Sequence, residues 1–131
     1  MGAQIAPLPD GPLDLVGDIH GEIEALERLL ALLGYRPDGT HAEGRRLVFL
    51  GDLVDRGTDS IAVVALVREL VEAGHADCLL GNHELNLLLE KRREGNEWFW
   101  GETQDLREGG RVVQTLADDA TRTWIAEFLR G

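Results

Sequence analysis

Three times along this chain a short apolar run stops at a glycine, a polar cluster follows at once, and a stretch with helical spacing of leucines or valines begins. The three stretches are LDLVGDIHGEIEALERLL, LVFLGDLVDRGTDSIAVVALV and HADCLLGNHELNLLLEKR. Polar side chains at the seam between a buried strand and a buried helix cost free energy unless capping or function accounts for them. Strand–helix units of this length form parallel neighbours joined by right-handed crossovers. The pattern predicts an α/β fold, with all three clusters at the carboxyl edge of one parallel sheet.

Hydrophobic periodicity locates the elements. Leu13 to Val16 reads as a strand, and Glu22 to Leu33 as a helix with Ile23, Leu26, Leu29, Leu30 and Leu33 on one face, stopped at Gly34. Leu47 to Leu50 reads as a central strand, apolar on both faces. Asp59 or Ser60 caps a second helix that carries Val63, Val64, Val67, Leu70 and Val71 as far as Gly74. Asp77 to Leu80 is the third strand, and Glu84 to about Arg93 the third helix. Beyond Glu94, EGNEWFWGETQDLREGG reads as a long loop, and DDATRTWIAEFLRG as a capped helix with Trp124, Ile125, Phe128 and Leu129 on one face.

Composition narrows the function classes. A chain of 131 residues, 44% hydrophobic and 28% charged, fits one globular domain rather than a disordered segment. A formal net charge of −11 leaves no basic stripe for nucleic acid. The start MGAQIAPLPDGP has neither the basic region nor the apolar core of a secretory signal, and Ala6 stands where an acylation motif at Gly2 needs Ser or Thr. No run approaches the ~20 apolar residues that cross a bilayer. Cys78 is the only cysteine, which excludes an internal disulfide and fits a reducing cytoplasm; its apolar setting makes it a strand residue rather than a reactive thiol.

Each polar cluster has a functional and a plain reading. In GDIHG, Asp18 and His20 at i and i+2 of an extended segment project to one side and can grip one ion; alternatively, the motif is a helix cap with a surface histidine. In GDLVDRG, Asp52 ends the neighbouring strand as Asp18 ends the first, and two converging carboxylates call for a cation between them. Arg56 offers a planar fork to a phosphate, or else joins Asp55 and Asp59 in a surface network. In GNHE, Asn82 is an N-cap or a neutral oxygen ligand, with His83 a titratable group beside it. Such an oxygen and nitrogen donor set suits manganese, iron or zinc. Independent capping does not explain why three successive strands all end in Gly-Asp or Gly-Asn.

GDIHG, GDLVDRG and GNHE, in that order and strand context, resemble the three signatures of the metallophosphoesterases, the calcineurin-like phosphoesterase superfamily. The resemblance implies the parallel β-α-β-α-β half of that family's α/β sandwich. It also implies two divalent cations at the strand ends, manganese first, with iron, zinc, nickel or cobalt as alternatives. Asp18 and His20 would hold one ion, Asp52 would bridge both, and Asn82 would hold the second. His83 would be the general acid, oriented by Asp55, while Arg56 and Asn82 bind the substrate phosphate, and a metal-activated hydroxide hydrolyses a phosphate ester. The implied substrate is a phosphoprotein, a nucleotide or a dinucleoside polyphosphate, with no nucleic-acid or membrane partner. Leu80, where protein phosphatases of this type carry Arg, makes the chain more similar to the bacterial phosphatase and dinucleoside tetraphosphatase branch.

The resemblance also implies more histidines than the chain has. The family completes its second metal site with two or more histidines on a second sheet, whereas only His20, His41, His75 and His83 occur here. His41 and His75 read as solvated loop residues. The chain is therefore expected to be a single metallophosphoesterase domain over 1–131 that stops before those strands. On that reading it is weakly active or inactive alone, with an apolar sheet face exposed to self-association. Trp98, Phe99 and Trp100 are expected to pack against core rather than stack on substrate. The competing class is a non-catalytic module that binds metal or a partner. A dinucleotide-binding domain is disfavoured because the first turn lacks Gly-x-Gly-x-x-Gly.

Overall fold

A computed structural model describes residues 7–105 and 111–131. The lead-in as far as Ala6 and positions 106–110 of the expected long loop lie outside the described residues. Three parallel strands, β1 (Leu13–Val16), β2 (Arg46–Phe49) and β3 (Ala76–Cys78), lie side by side in chain order. The register pairs Leu15 with Val48, and Val48 with Asp77. Helices α1 (Ile23–Leu32) and α2 (Ser60–Glu72) make the crossovers, and α3 (Asn82–Leu88) follows β3. The parallel β-α-β-α-β order is as the repeated pattern requires.

Sheet parity divides the burial. Val16, Leu47, Phe49 and Ala76 share one face and join Val63, Val64, Val67 and Leu70 of α2 in the core. Helix α2 starts where expected, the Asp59 carboxylate accepting the Ala62 N–H at 2.9 Å. On the opposite face Leu15 is 60% exposed, and Leu50 and Leu79, the residues just past β2 and β3, are 44% and 50% exposed, while Val48 between them is buried.

Downstream of α3 the structure departs from the expected plain loop. EWFW forms a 3₁₀ turn (Glu97–Trp100), and two short antiparallel strands follow, β4 (Gln104–Asp105) and β5 (Arg111–Val112). Trp98 and Phe99 are buried in the core, as expected of packing residues. Helix α4 (Asp119–Arg130) is capped by Asp118, whose side chain accepts the Thr121 N–H, and buries Ile125 and Leu129.

Three further expectations need correcting. Helix α3 ends at Leu88 rather than near Arg93, because Glu90 takes a left-handed backbone, φ 55°, and Lys91 N–H folds back to Asn86 O. His41 is not a solvated loop residue: it donates from Nε2 to Leu33 O at 2.7 Å and packs edge-on against Tyr35, closing the end of α1. His75 is likewise engaged, through Nδ1 and the Asp38 carbonyl. Each meets a carbonyl near a helix end or turn, a long-range contact that local sequence does not signal.

Candidate metal centre

The three polar clusters meet, but not on extended backbone. Asp18 and His20 have φ values of 53° and 45°, so the expected same-side projection along an extended segment is incorrect. Six described non-glycine residues have positive φ, and five of them are Asp18, His20, Asp52, Asp55 and Arg56. Left-handed backbone costs an L-residue roughly 1 kcal/mol or more. Its concentration at these positions means that the surrounding structure dictates where their side chains point.

Lacing between the loops supplies that constraint. His20 N–H donates to Asp52 O at 3.0 Å, Gly21 N–H to Leu53 O at 2.8 Å and Gly57 N–H to His20 O at 2.7 Å. Gly57 lies so close that a Cβ there would stand 2.3 Å from His20 O. The second and third clusters are joined by Glu84, which is fully buried. Its carboxylate accepts N–H groups from Asp52 at 2.6 Å, Leu53 at 3.0 Å and Gly81 at 2.9 Å. Burial raises its pKa above the ordinary carboxylate value, against the lowering effect of these three donors.

Asn82 is not the N-cap. It is the first helical residue of α3, exposed, and Gly81 occupies the cap position. The Glu84 bond back to Gly81 N–H does the capping, leaving the Asn82 side chain out of that role. Gly81 is pressed against Asp52, since a Cβ there would fall 2.3 Å from Asp52 Oδ1.

Within this frame Asp18, His20 and Asp52 present one ligand atom each, all within 4.8 Å of one another. Among the described residues this is the only such group of histidine, cysteine or acidic side chains. His20 donates from Nδ1 to Val54 O at 2.9 Å, which fixes the tautomer and leaves Nε2 as a lone-pair donor. Two carboxylates at that separation repel by about 1 to 3 kcal/mol, according to solvent screening, and a cation between them removes the penalty. Two oxygens and one imidazole nitrogen therefore fit a divalent first-row metal.

His83 stands beside this group, its ring edge-on to that of His20 with centroids 4.7 Å apart. Its Nδ1 donates to Asp55 Oδ2 at 2.8 Å. Asp55 is 1% exposed, so it takes no part in a surface network with Asp59, and its other oxygen accepts the Trp98 indole N–H at 2.7 Å. Burial pushes the Asp55 pKa up, opposed by the His83 and Trp98 hydrogen bonds. Arg56 is exposed at the edge of the same loop, and its guanidinium has no hydrogen-bond or ion-pair partner among the described residues. Sequence reasoning missed Glu84 and Trp98 as parts of this assembly. The Glu of GNHE, third residue of its helix, carried a capping signal; nothing local ties Trp98 to Asp55.

A parallel three-stranded sheet with acidic and imidazole side chains converging at its carboxyl edge marks an α/β protein with a candidate metal centre. Residues 11–124 match the family model described as calcineurin-like phosphoesterase, and the chain belongs to that family. It is 49% identical over 74 residues to the asymmetrical bis(5'-nucleosyl)-tetraphosphatase PrpE of Oceanobacillus iheyensis, a match covering 54% of this chain and 30% of that protein. Over 73 residues it is 42% identical to the protein of the same name from Bacillus subtilis strain 168, covering 53% of this chain and 30% of the relative. The symmetrical bis(5'-nucleosyl)-tetraphosphatase of Pectobacterium carotovorum is 45% identical over 74 residues, covering 56% and 24%. These matches thus span less than a third of each relative's length.

Proposed function

We propose that this chain carries the metal-binding and proton-donating portion of a phosphoesterase that hydrolyses a nucleotide-type phosphate substrate, a dinucleoside polyphosphate in the first instance. The observation that carries the reading is the meeting of Asp18, His20 and Asp52 ligand atoms within 4.8 Å, with the His83 ring against that of His20. Names of the bacterial relatives support the substrate class ahead of a phosphoprotein. Manganese is the metal we assign first. The cytoplasm is the compartment we assign; no described helix is long and apolar enough to cross a membrane.

In this mechanism Asp18, His20 and Asp52 would hold one divalent cation, and Asp52 and Asn82 would offer ligands to a second. Bound cations supply charge neutralisation at the phosphoryl group and an acidified water. Arg56 and Asn82 hold the substrate phosphate, the guanidinium pairing two of its oxygens. Protonated His83 gives its Nε2 proton to the leaving oxygen as the P–O bond breaks, ending as neutral imidazole. Asp55 keeps Nδ1–H engaged throughout, which holds the ring's orientation. Because among the described residues two alone would serve the second cation, we expect slow turnover by these 131 residues.

The test is hydrolysis of p-nitrophenyl phosphate and of diadenosine tetraphosphate with and without Mn²⁺, alongside metal content by mass spectrometry. Metal-dependent hydrolysis, read as p-nitrophenol from the first substrate and as mononucleotides from the second, lost in Asp52→Asn together with the bound metal, is the expected result. Unchanged metal content in Asp52→Asn refutes the bridging role. Metal binding with no hydrolysis of either substrate favours the non-catalytic module.

A further inference from the structure

Trp98 lies in the 3₁₀ turn beyond all three motifs, 43 residues from Asp55 in sequence. Its indole is fully buried, and a buried indole N–H needs an acceptor. The acceptor it meets is Asp55 Oδ1, the carboxylate oxygen left over by His83. We propose that Trp98 is a positioning residue for the proton donor: by holding one oxygen of Asp55, it fixes the carboxylate plane so that the other oxygen faces His83 Nδ1. The assignment rests on the reading of His83 as proton donor.

Geometry makes the indole a rigid mount. Trp98 O accepts N–H groups from Gly101 at 3.1 Å and Ala117 at 2.9 Å, and the ring packs edge-on against Phe99. The turn begins after Asn96, also fully buried, whose side chain accepts from Arg93 N–H and donates to Lys91 O. On the other side, Asp55 is held at its backbone, the N–H donating to Ser60 Oγ at 2.9 Å, with φ at 74°. Backbone tethers do not fix the rotation of a carboxylate about its last bond. Two hydrogen bonds of 2.7 and 2.8 Å, one to each oxygen, do. Both are charge-assisted, and neither oxygen has another protein donor among the described residues.

The test compares Trp98→Phe with Trp100→Phe, a control in the same turn, on the 131-residue protein labelled with ¹⁵N. Hydrogen exchange at His83 Nδ1–H should quicken roughly tenfold in Trp98→Phe and stay unchanged in Trp100→Phe, as expected when one buried hydrogen bond of the relay is lost. An unaltered His83 signal in folded Trp98→Phe overturns the proposal. Should that variant not fold, Asp55→Ala gives the reciprocal reading: Trp98 indole N–H exchange should quicken, and exchange that stays slow overturns it. In manganese-dependent p-nitrophenyl phosphate hydrolysis, Trp98→Phe should lower kcat about tenfold with KM nearly unchanged. If His83→Gln and Asp55→Asn leave kcat intact, the proton-donor reading falls. If those two lose activity while Trp98→Phe does not, only the Trp98 assignment falls.

Discussion

The buried carboxylate of Glu84 accepts the backbone N–H of Asp52 at 2.6 Å. A helix residue of the third motif thereby sets the backbone of the second, at the aspartate whose side chain faces Asp18 and His20. With Leu53 and Gly81 also donating, one side chain satisfies three N–H groups at the junction of the two loops.

Replacing Glu84 by Gln should therefore disturb the metal centre without adding volume. The amide keeps one acceptor oxygen but presents its NH₂ to an N–H of the loop, leaving a buried donor unpaired. We expect a loss of about 2 kcal/mol in urea unfolding, the usual cost of one such group. Mn²⁺ affinity by titration calorimetry should fall severalfold, because Asp52 is no longer held at its φ of 52°. Wild-type affinity in a folded Glu84→Gln protein contradicts the coupling of the two loops.

Gly81→Ala separates backbone strain from crowding. Gly81 has φ −91° and ψ 177°, extended values open to any residue, so alanine meets no conformational penalty there. Its Cβ would stand 2.3 Å from Asp52 Oδ1 and 2.6 Å from Asp52 N, which forces the aspartate to move. Mn²⁺ binding should weaken more than the fold does, by about tenfold or more for a displaced ligand. Equal binding by the two proteins would mean that Asp52 is not a ligand.

The regular frame was legible because each strand–glycine–helix unit carries its own periodicity. Leu13 to Val16 is the strand read from sequence, and Asp59 is the cap of α2. What escaped was backbone shape where three loops act on one another. Asp18 and His20 look like an extended pair locally, yet both are left-handed, and His20 is tied by hydrogen bonds to a loop more than thirty residues away. Trp98 and Glu84 escaped for the same reason: burial and apolar neighbours are visible in sequence, whereas the acceptor or donor that a buried polar atom reaches is decided by the assembled fold. The residues that converge were readable, and the groups that orient them were not.

The open sheet face leads to a prediction about association. Leu15 pairs in register with Val48, and Leu50 and Leu79 continue the same face along β2 and β3. All three leucines are well exposed, flanking buried Val48 and the Arg46–Asp77 ion pair of the same face, and exposed apolar side chains on a parallel sheet favour contact with another surface. In sedimentation velocity the double variant Leu15→Lys and Leu79→Lys should remain monomeric at concentrations where the parent chain self-associates. A parent chain that stays monomeric up to several hundred micromolar contradicts this use of the face.

The last prediction concerns pH and lies away from the metal centre. Asp14 on β1 accepts the Tyr35 hydroxyl at 2.7 Å, while Arg45 donates to both of its oxygens at 2.9 and 3.0 Å. These donors, Arg45 first and Tyr35 second, lower the Asp14 pKa below the ordinary 3.8. Tyr35 moves the other way, its hydroxyl pushed above the ordinary 10.0 by burial and by the Asp14 carboxylate. The two signs define a window. A carboxyl lowered in the folded state contributes stability that is present above its unfolded pKa and lost as pH falls through the folded value. A phenol raised in the folded state contributes stability that is present below its unfolded pKa and lost as pH rises through the folded value. Tyr35→Phe should cost about 1.5 kcal/mol at pH 7, the usual worth of a hydrogen bond to a charged acceptor. Its difference from wild type in urea unfolding should shrink below pH 3.8, as Asp14 protonates, and again above pH 10, as Tyr35 in the unfolded chain ionises. A deficit that stays constant from pH 3 to pH 11 would mean that Tyr35 contributes through packing alone.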